Sequence, residues 1–96
     1  ARYLTANAYL GCFGIVAALE RGADIVVTGR ATDAAIVCGP AAWHHGWKRS
    51  DFDALAGAVV AGHLIECSSQ VTGGNYAFFD EVPGLDHIGF PWAEIA

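Results

Sequence analysis

From Gly11 onward the apolar positions follow a helical rhythm. Cys12, Ile15, Val16 and Leu19 fall at i, i+3, i+4 and i+7, which is one face of a helix. Glu20 and Arg21 close that helix, and Gly22 suits the position just past its end. The rhythm then gives way to three consecutive β-branched residues, Ile25, Val26 and Val27. A short uninterrupted run of that kind suits a strand covered on both faces. Asp24–Thr28 is therefore expected as a central strand, and helix, glycine and strand in such close order form half of a βαβ unit. Upstream, Tyr3 to Tyr9 fits a strand end and a loop equally.

After Gly29 the chain turns, and Thr32 or Asp33 can cap a second helix. Ala34 to Cys38 is apolar on every side, so that helix should be buried. Gly39-Pro40 should interrupt it, because Pro40 lacks a backbone donor and disfavours helix at Gly39. Ala41 to His45 then resumes a turn or two, and Gly46 ends it. Ser50 opens the clearest helix, with Asp51 and Asp53 near its positive end. Phe52, Leu55, Ala56, Val59, Val60, His63 and Leu64 hold helical spacing up to Cys67, with Phe52, Leu55, Val59 and His63 expected toward the core. Ser68 to Tyr76 is small, polar and glycine-paired, and Asp80 to Ala96 reads as loop. The expected fold is α/β: a short, mostly parallel sheet with helices packed on its faces. Residues 1–96 would form part of one larger domain with no internal boundary.

Composition adds an expectation of partnership. In 96 residues, 54% are hydrophobic and 16% charged, and the chain opens at Ala1 without a methionine. A small domain leaves much of its surface wet. So much apolar material therefore suggests a piece of a larger protein or an obligate homo-oligomer. The net charge is −5 with only five Lys and Arg, which argues against binding a phosphate backbone and hence against nucleic acid. Cys12, Cys38 and Cys67 are odd in number and widely spaced, which fits buried free thiols of a cytoplasmic protein rather than a disulfide framework or a zinc site. No apolar run approaches the roughly 20 residues that span a bilayer, so no membrane partner is expected.

Three stretches carry candidate chemistry. Ligands of open α/β sheets sit beyond the carboxyl ends of strands, which singles out Thr28, Gly29, Arg30 and Asp33. Arg30 can fork onto a carboxylate or phosphate, or it can simply pair with Asp33 and pin the loop. His63, Glu66 and Cys67 lie at i, i+3 and i+4, a spacing that can share a metal or a proton. A hydrogen-bonded core histidine accounts for His63 as well, and no metal site is expected. Glu66 closes an apolar helix, where the dipole disfavours a carboxylate. Gln70, Thr72, Gly73 and Gly74 form a polar turn whose glycines would admit a ligand close to the backbone, or would merely make a tight connection. It matches neither the P-loop nor the dinucleotide fingerprint. His44 and His45, beside Trp43 and Trp47, read as a helix end with aromatic packing.

Several long motifs together resemble the acyclic terpene utilisation AtuA family. They are Ala6-Asn7-Ala8-Tyr9-Leu10-Gly11, Gly22 through Arg30, Asp33-Ala34-Ala35, Gly39-Pro40, Ala61 through Cys67, Gln70 through Gly74, and Gly89-Phe90-Pro91 with Glu94-Ile95. The likeness departs after Gly11, where this chain has Cys12-Phe13 on a helix face. Members of that family are several times longer, so the resemblance implies an internal piece. It also implies a role in breaking down citronellol- and geraniol-like branched acids as CoA thioesters. It supplies no agreed reaction, no cofactor and no catalytic residues.

Two functions follow as expectations. One is an enzyme of branched acyl-CoA or isoprenoid catabolism, acting on an anionic or CoA-linked small molecule. Arg30, Asp33 and Glu66 would be its catalytic group, with Asn7, Thr28, Gly29, Gln70, Thr72, Gly73 and Gly74 around the substrate. The other is a non-catalytic binding or assembly subunit that works with a carboxylase-type complex. Convergence of Arg30, Glu66 and the Thr72-Gly73-Gly74 turn on one cleft favours the enzyme.

Overall fold

The computed structural model describes residues 2–96. Three helices make up its regular structure: α1 (Phe13–Glu20), α2 (Ala35–His45) and α3 (Phe52–Cys67). Single 3-10 turns follow at Ser68–Gln70, Phe79–Glu81 and Leu85–His87. Helix α2 packs against both α1 and α3. The radius of gyration is 16.7 Å, against about 12.5 Å for a compact domain of this length. The helices form a small nucleus; residues 2–11 and 71–96 on either side of them are largely exposed, and Ile95 near the C-terminus packs back against the core.

The helix ends follow the sequence. Gly22 adopts φ +81° after α1, and the N–H of Ala23 reaches back to the carbonyl of Ala18 at 3.2 Å. Gly46 adopts φ +68° after α2, and Trp47 N–H reaches Ala42 at 2.9 Å. Both are left-handed glycine stops. Helix α2 runs straight through Gly39-Pro40 instead of breaking there. The carbonyl that Pro40 leaves without its donor belongs to Ile36, and both residues are exposed, so water can take the lost bond.

The expected α/β fold is not what forms: the described residues are helical and hold no sheet. The only β-pairing among them is one isolated parallel bridge between Leu10 and Ala31. Leu10 N–H donates to Arg30 C=O at 3.3 Å, and Thr32 N–H donates to Leu10 C=O at 2.9 Å. Asp24–Thr28 is no strand: the backbone bends at Asp24 and Ile25, and Ile25 is 83% and Val27 90% exposed. A β-branched run resists helix, yet a strand exists only where a second one pairs with it. Here the pairing begins after the run, at Ala31, and stops after one pair.

The core is made of small residues. Cys12, Ile15, Ala35, Cys38 and Ala58 form its centre, with Val26 and Leu55 packed against it. Phe52, Val59 and His63 lie on the exposed side of α3, contrary to the expected core face, which instead presents Ala58, Ala61 and Gly62. The reason is close helix approach. A Cβ on Gly62 would stand 2.8 Å from the Ala34 carbonyl oxygen, and a Cβ on Gly39 would stand 2.9 Å from the Ile15 side chain. Only small residues fit these seams, so the large ones are displaced to the flanks. Tyr3, Leu4, Val27 and Trp92 are among the large apolar side chains left on the surface.

Candidate functional site

The seam between α2 and α3 opens into a groove of about 480 Å³ at the start of α2. The loop between α1 and α2 delivers Thr28, Gly29 and Arg30 to one side. Asp33 and Ile36 enter from the head of α2, and Glu66 comes from the last turn of α3. The bridge at Leu10 holds the Arg30 and Thr32 backbone in place. The expected cation and both expected carboxylates therefore meet across three chain segments.

Their charges are not cancelled internally. Among the described residues the single ion pair is between exposed His87 and Asp86, at 3.4 Å. Arg30 lays its guanidinium over the Tyr9 ring, 5.1 Å from the centroid. Glu66 accepts a hydrogen bond from the Cys67 thiol at 3.5 Å. Partial burial, together with the nearby Glu66 and Asp33 carboxylates, holds the Cys67 thiol above its usual range. One wall of the groove is thus acidic, and the facing wall carries a guanidinium on an aromatic ring. Such a groove can hold an anionic group at Arg30 while Asp33 and Glu66 accept or return protons.

Other expected site residues lie elsewhere. Asn7 donates to Thr5 Oγ1 at 3.3 Å in the exposed N-terminal arm. Gln70, Thr72, Gly73 and Gly74 do not line the groove. Thr72 hydrogen-bonds the carbonyls of Ser69 and Gly89, fastening the C-terminal tail. Gly73 has φ +116°, and a Cβ on Gly74 would meet the Ser69 carbonyl at 2.8 Å. The glycines of that turn answer to the chain's own backbone, as the tight-connection alternative has it. His63 lines a separate apolar groove with Val59, Val60, Leu64 and Val71. Among the described residues, no three His, Cys, Asp or Glu side chains gather as a metal site. No helix among them is long and apolar enough to cross a membrane.

Arg49 is the residue that sequence reasoning overlooked. It sits in the α2–α3 connection and places its guanidinium 4.2 Å from the centroid of the Phe13 ring. With Arg30 it bounds a second cavity of about 280 Å³, which shares the Thr28–Ala31 segment with the groove but is not lined by Glu66. The sequence signal was faint, because Lys48-Arg49 in a short connection reads as ordinary solvated charge.

Comparison with known proteins gives one result. The family model described as acyclic terpene utilisation family protein AtuA matches residues 1–96. No curated protein and no solved structure matches the chain.

Proposed function

The chain belongs to the acyclic terpene utilisation family AtuA, and on that premise we propose that it carries part of the active site of an enzyme of acyclic terpene or branched acyl-CoA catabolism. The observation that carries this reading is the groove between α2 and α3, where Arg30, Asp33 and Glu66 line one space without pairing, although the Thr72-Gly73-Gly74 turn expected beside them does not line it. A structural pin would pair Arg30 with Asp33, whereas here the guanidinium rests on Tyr9 and leaves its donors available. Arg30 holds the anionic end of the substrate, and the two carboxylates transfer protons beside it. Thr28 and Gly29 form the wall next to Arg30. The protein acts in the cytoplasm, and its exposed apolar side chains are covered by other chain or by a second copy.

The test is genetic and biochemical together. Glu66→Gln and Asp33→Asn, introduced into the whole protein, should each abolish growth of a deletion host on citronellol while leaving the protein folded and at normal abundance. Normal growth with both variants would remove the groove from the chemistry. The alternative, a non-catalytic assembly subunit, would then be favoured, with its partners sought by co-purification.

A further inference from the structure

We infer that the second cavity, bounded by Arg30 and Arg49, is a binding site for the dianionic head of a small amphipathic phosphate monoester. This inference is separate from the reading of the groove, but Arg30 borders both spaces and its one guanidinium serves one anion at a time, so a phosphate held here competes with an anion held in the groove. The chain has only five Lys and Arg against ten Asp and Glu. Two of those five cations bound this one cavity, and no carboxylate lines it. In so acidic a chain, two guanidinium groups on a cavity that no carboxylate lines form a local positive site, although Arg30 also borders the groove that Asp33 and Glu66 line.

Both arginines are held in position by aromatic rings. Arg30 lies over Tyr9 at 5.1 Å and Arg49 over Phe13 at 4.2 Å. Stacking orders the long side chain and leaves the planar edge of N–H donors uncommitted. Two such forks match the charge and the oxygen count of a phosphoryl dianion, whereas a monocarboxylate would satisfy only one. Apart from Thr28 and Ala31, the remaining wall is of two kinds. Leu10, Phe13 and Ile15 supply an apolar surface. Gly11, Gly14 and Gly29 supply none, and a Cβ built on any of the three meets open space. An anionic head therefore suits the two arginines that bound the cavity, and a hydrocarbon tail suits Leu10, Phe13 and Ile15.

The experiment is an NMR titration of the full chain with butyl phosphate, inorganic phosphate and butyrate. Butyl phosphate should bind more tightly than either of the others. Arg49→Gln and Arg49→Lys should each weaken it by about tenfold or more, the second because it keeps charge and loses the fork. Arg21→Gln, which removes the same charge away from the cavity, should leave it unchanged. Gly14→Leu, which fills the open space with a good helix former, should block binding and leave the fold intact. That variant decides the matter if Arg49→Gln does not fold. Equal binding of butyrate, equal binding of inorganic phosphate, an equal loss with Arg21→Gln, or full binding in Gly14→Leu would each overturn the inference. Because the readout is equilibrium binding at Arg49, it is independent of the growth test on Glu66 and Asp33.

Discussion

A Cβ on Gly62 would stand 2.8 Å from the carbonyl oxygen of Ala34, so α3 touches the head of α2 at a point where only hydrogen fits. Asp33 directly precedes Ala34, and Glu66 lies one turn beyond Gly62. The seam therefore sets the distance between the two carboxylates of the groove. Gly62→Ala must push the helices apart, because backbone cannot swing aside as a side chain can. It should cost about 1–3 kcal/mol of stability, read from a urea melt, and should lower activity as the groove widens. Gly57→Ala is the matched control. Its Cβ meets nothing within 4 Å, so the same exchange in the same helix should stabilise by up to about 1 kcal/mol. If both substitutions behave alike, the seam is not tight.

Ser68 offers a prediction of opposite sign. It is the one non-glycine residue with positive φ among those described, at φ 52° and ψ −130°. That region suits glycine and costs other residues about 1–3 kcal/mol. Ser68→Gly should relieve most of this, offset in part by the greater freedom of glycine in the unfolded chain. A net gain of about 1 kcal/mol, seen as a higher Tm, is expected. A lower Tm would mean that Ser68 makes interactions worth more than its backbone strain.

How far the sequence reached can be read from particular residues. Helix α3 and the glycine stops at Gly22 and Gly46 were legible, because spacing and glycine freedom act locally. The polar turn of Thr28, Gly29, Arg30 and Asp33 was legible after an apolar run, but its expected meeting with the Thr72-Gly73-Gly74 turn does not occur at the groove, where only Glu66 joins it from the end of α3. The sheet was misread, since Ile25-Val26-Val27 reports what its own backbone prefers and not whether a neighbour pairs with it. The core face of α3 was misread for a related reason. Val59 and His63 share one helical stripe and Ala58 and Gly62 share another, and spacing alone ranks the larger residues first. Close packing against Ala34 reverses that order. Arg49 was out of reach, because its place beside Phe13 depends on the α2–α3 connection folding back onto α1.

Cys38 makes stability depend on pH in the alkaline range. Burial, with the neighbouring Cys12 thiol, pushes its pKa up from 9.0 to about 11. The folded value lies above the unfolded one, so its contribution is complete below pH 9 and is lost as pH rises toward 11. Unfolding free energy should fall over that window in the native sequence. Cys38→Ala should flatten the slope, whatever it does to absolute stability. A slope unchanged in Cys38→Ala would assign the alkaline loss to other groups.

Cys67 reports on the groove itself. Its thiol is held above the usual range by partial burial and by Glu66 and Asp33. The thiolate is the species that alkylates, so Cys67 should react slowly with iodoacetamide near pH 9. Glu66→Gln removes the charge beside it and should lower its pKa, raising the rate severalfold at that pH. Cys12 and Cys38 are buried and should lag in both proteins, which mass spectrometry of the labelled peptides resolves. An unchanged Cys67 rate in Glu66→Gln would show that the carboxylate does not act on the thiol.

Arg30 is where the functional and structural readings divide most sharply. Its side chain is exposed and makes no ion pair with Asp33 or Glu66. What fixes the loop is backbone: Leu10 N–H on the Arg30 carbonyl and Thr32 N–H on the Leu10 carbonyl. Those bonds survive any change of side chain. Arg30→Lys keeps the charge but loses the planar fork and its stacking on Tyr9. Ligand binding should therefore weaken by tenfold or more, while Tm should move little, since an exposed stacking contact contributes only about 0.5–1 kcal/mol. Binding by equilibrium titration and Tm by calorimetry, on the same preparation, separate the two readings. Unfolding with normal binding in the surviving fraction would make Arg30 a structural pin. Weak binding in a protein that melts where the native one does would place the guanidinium on the ligand.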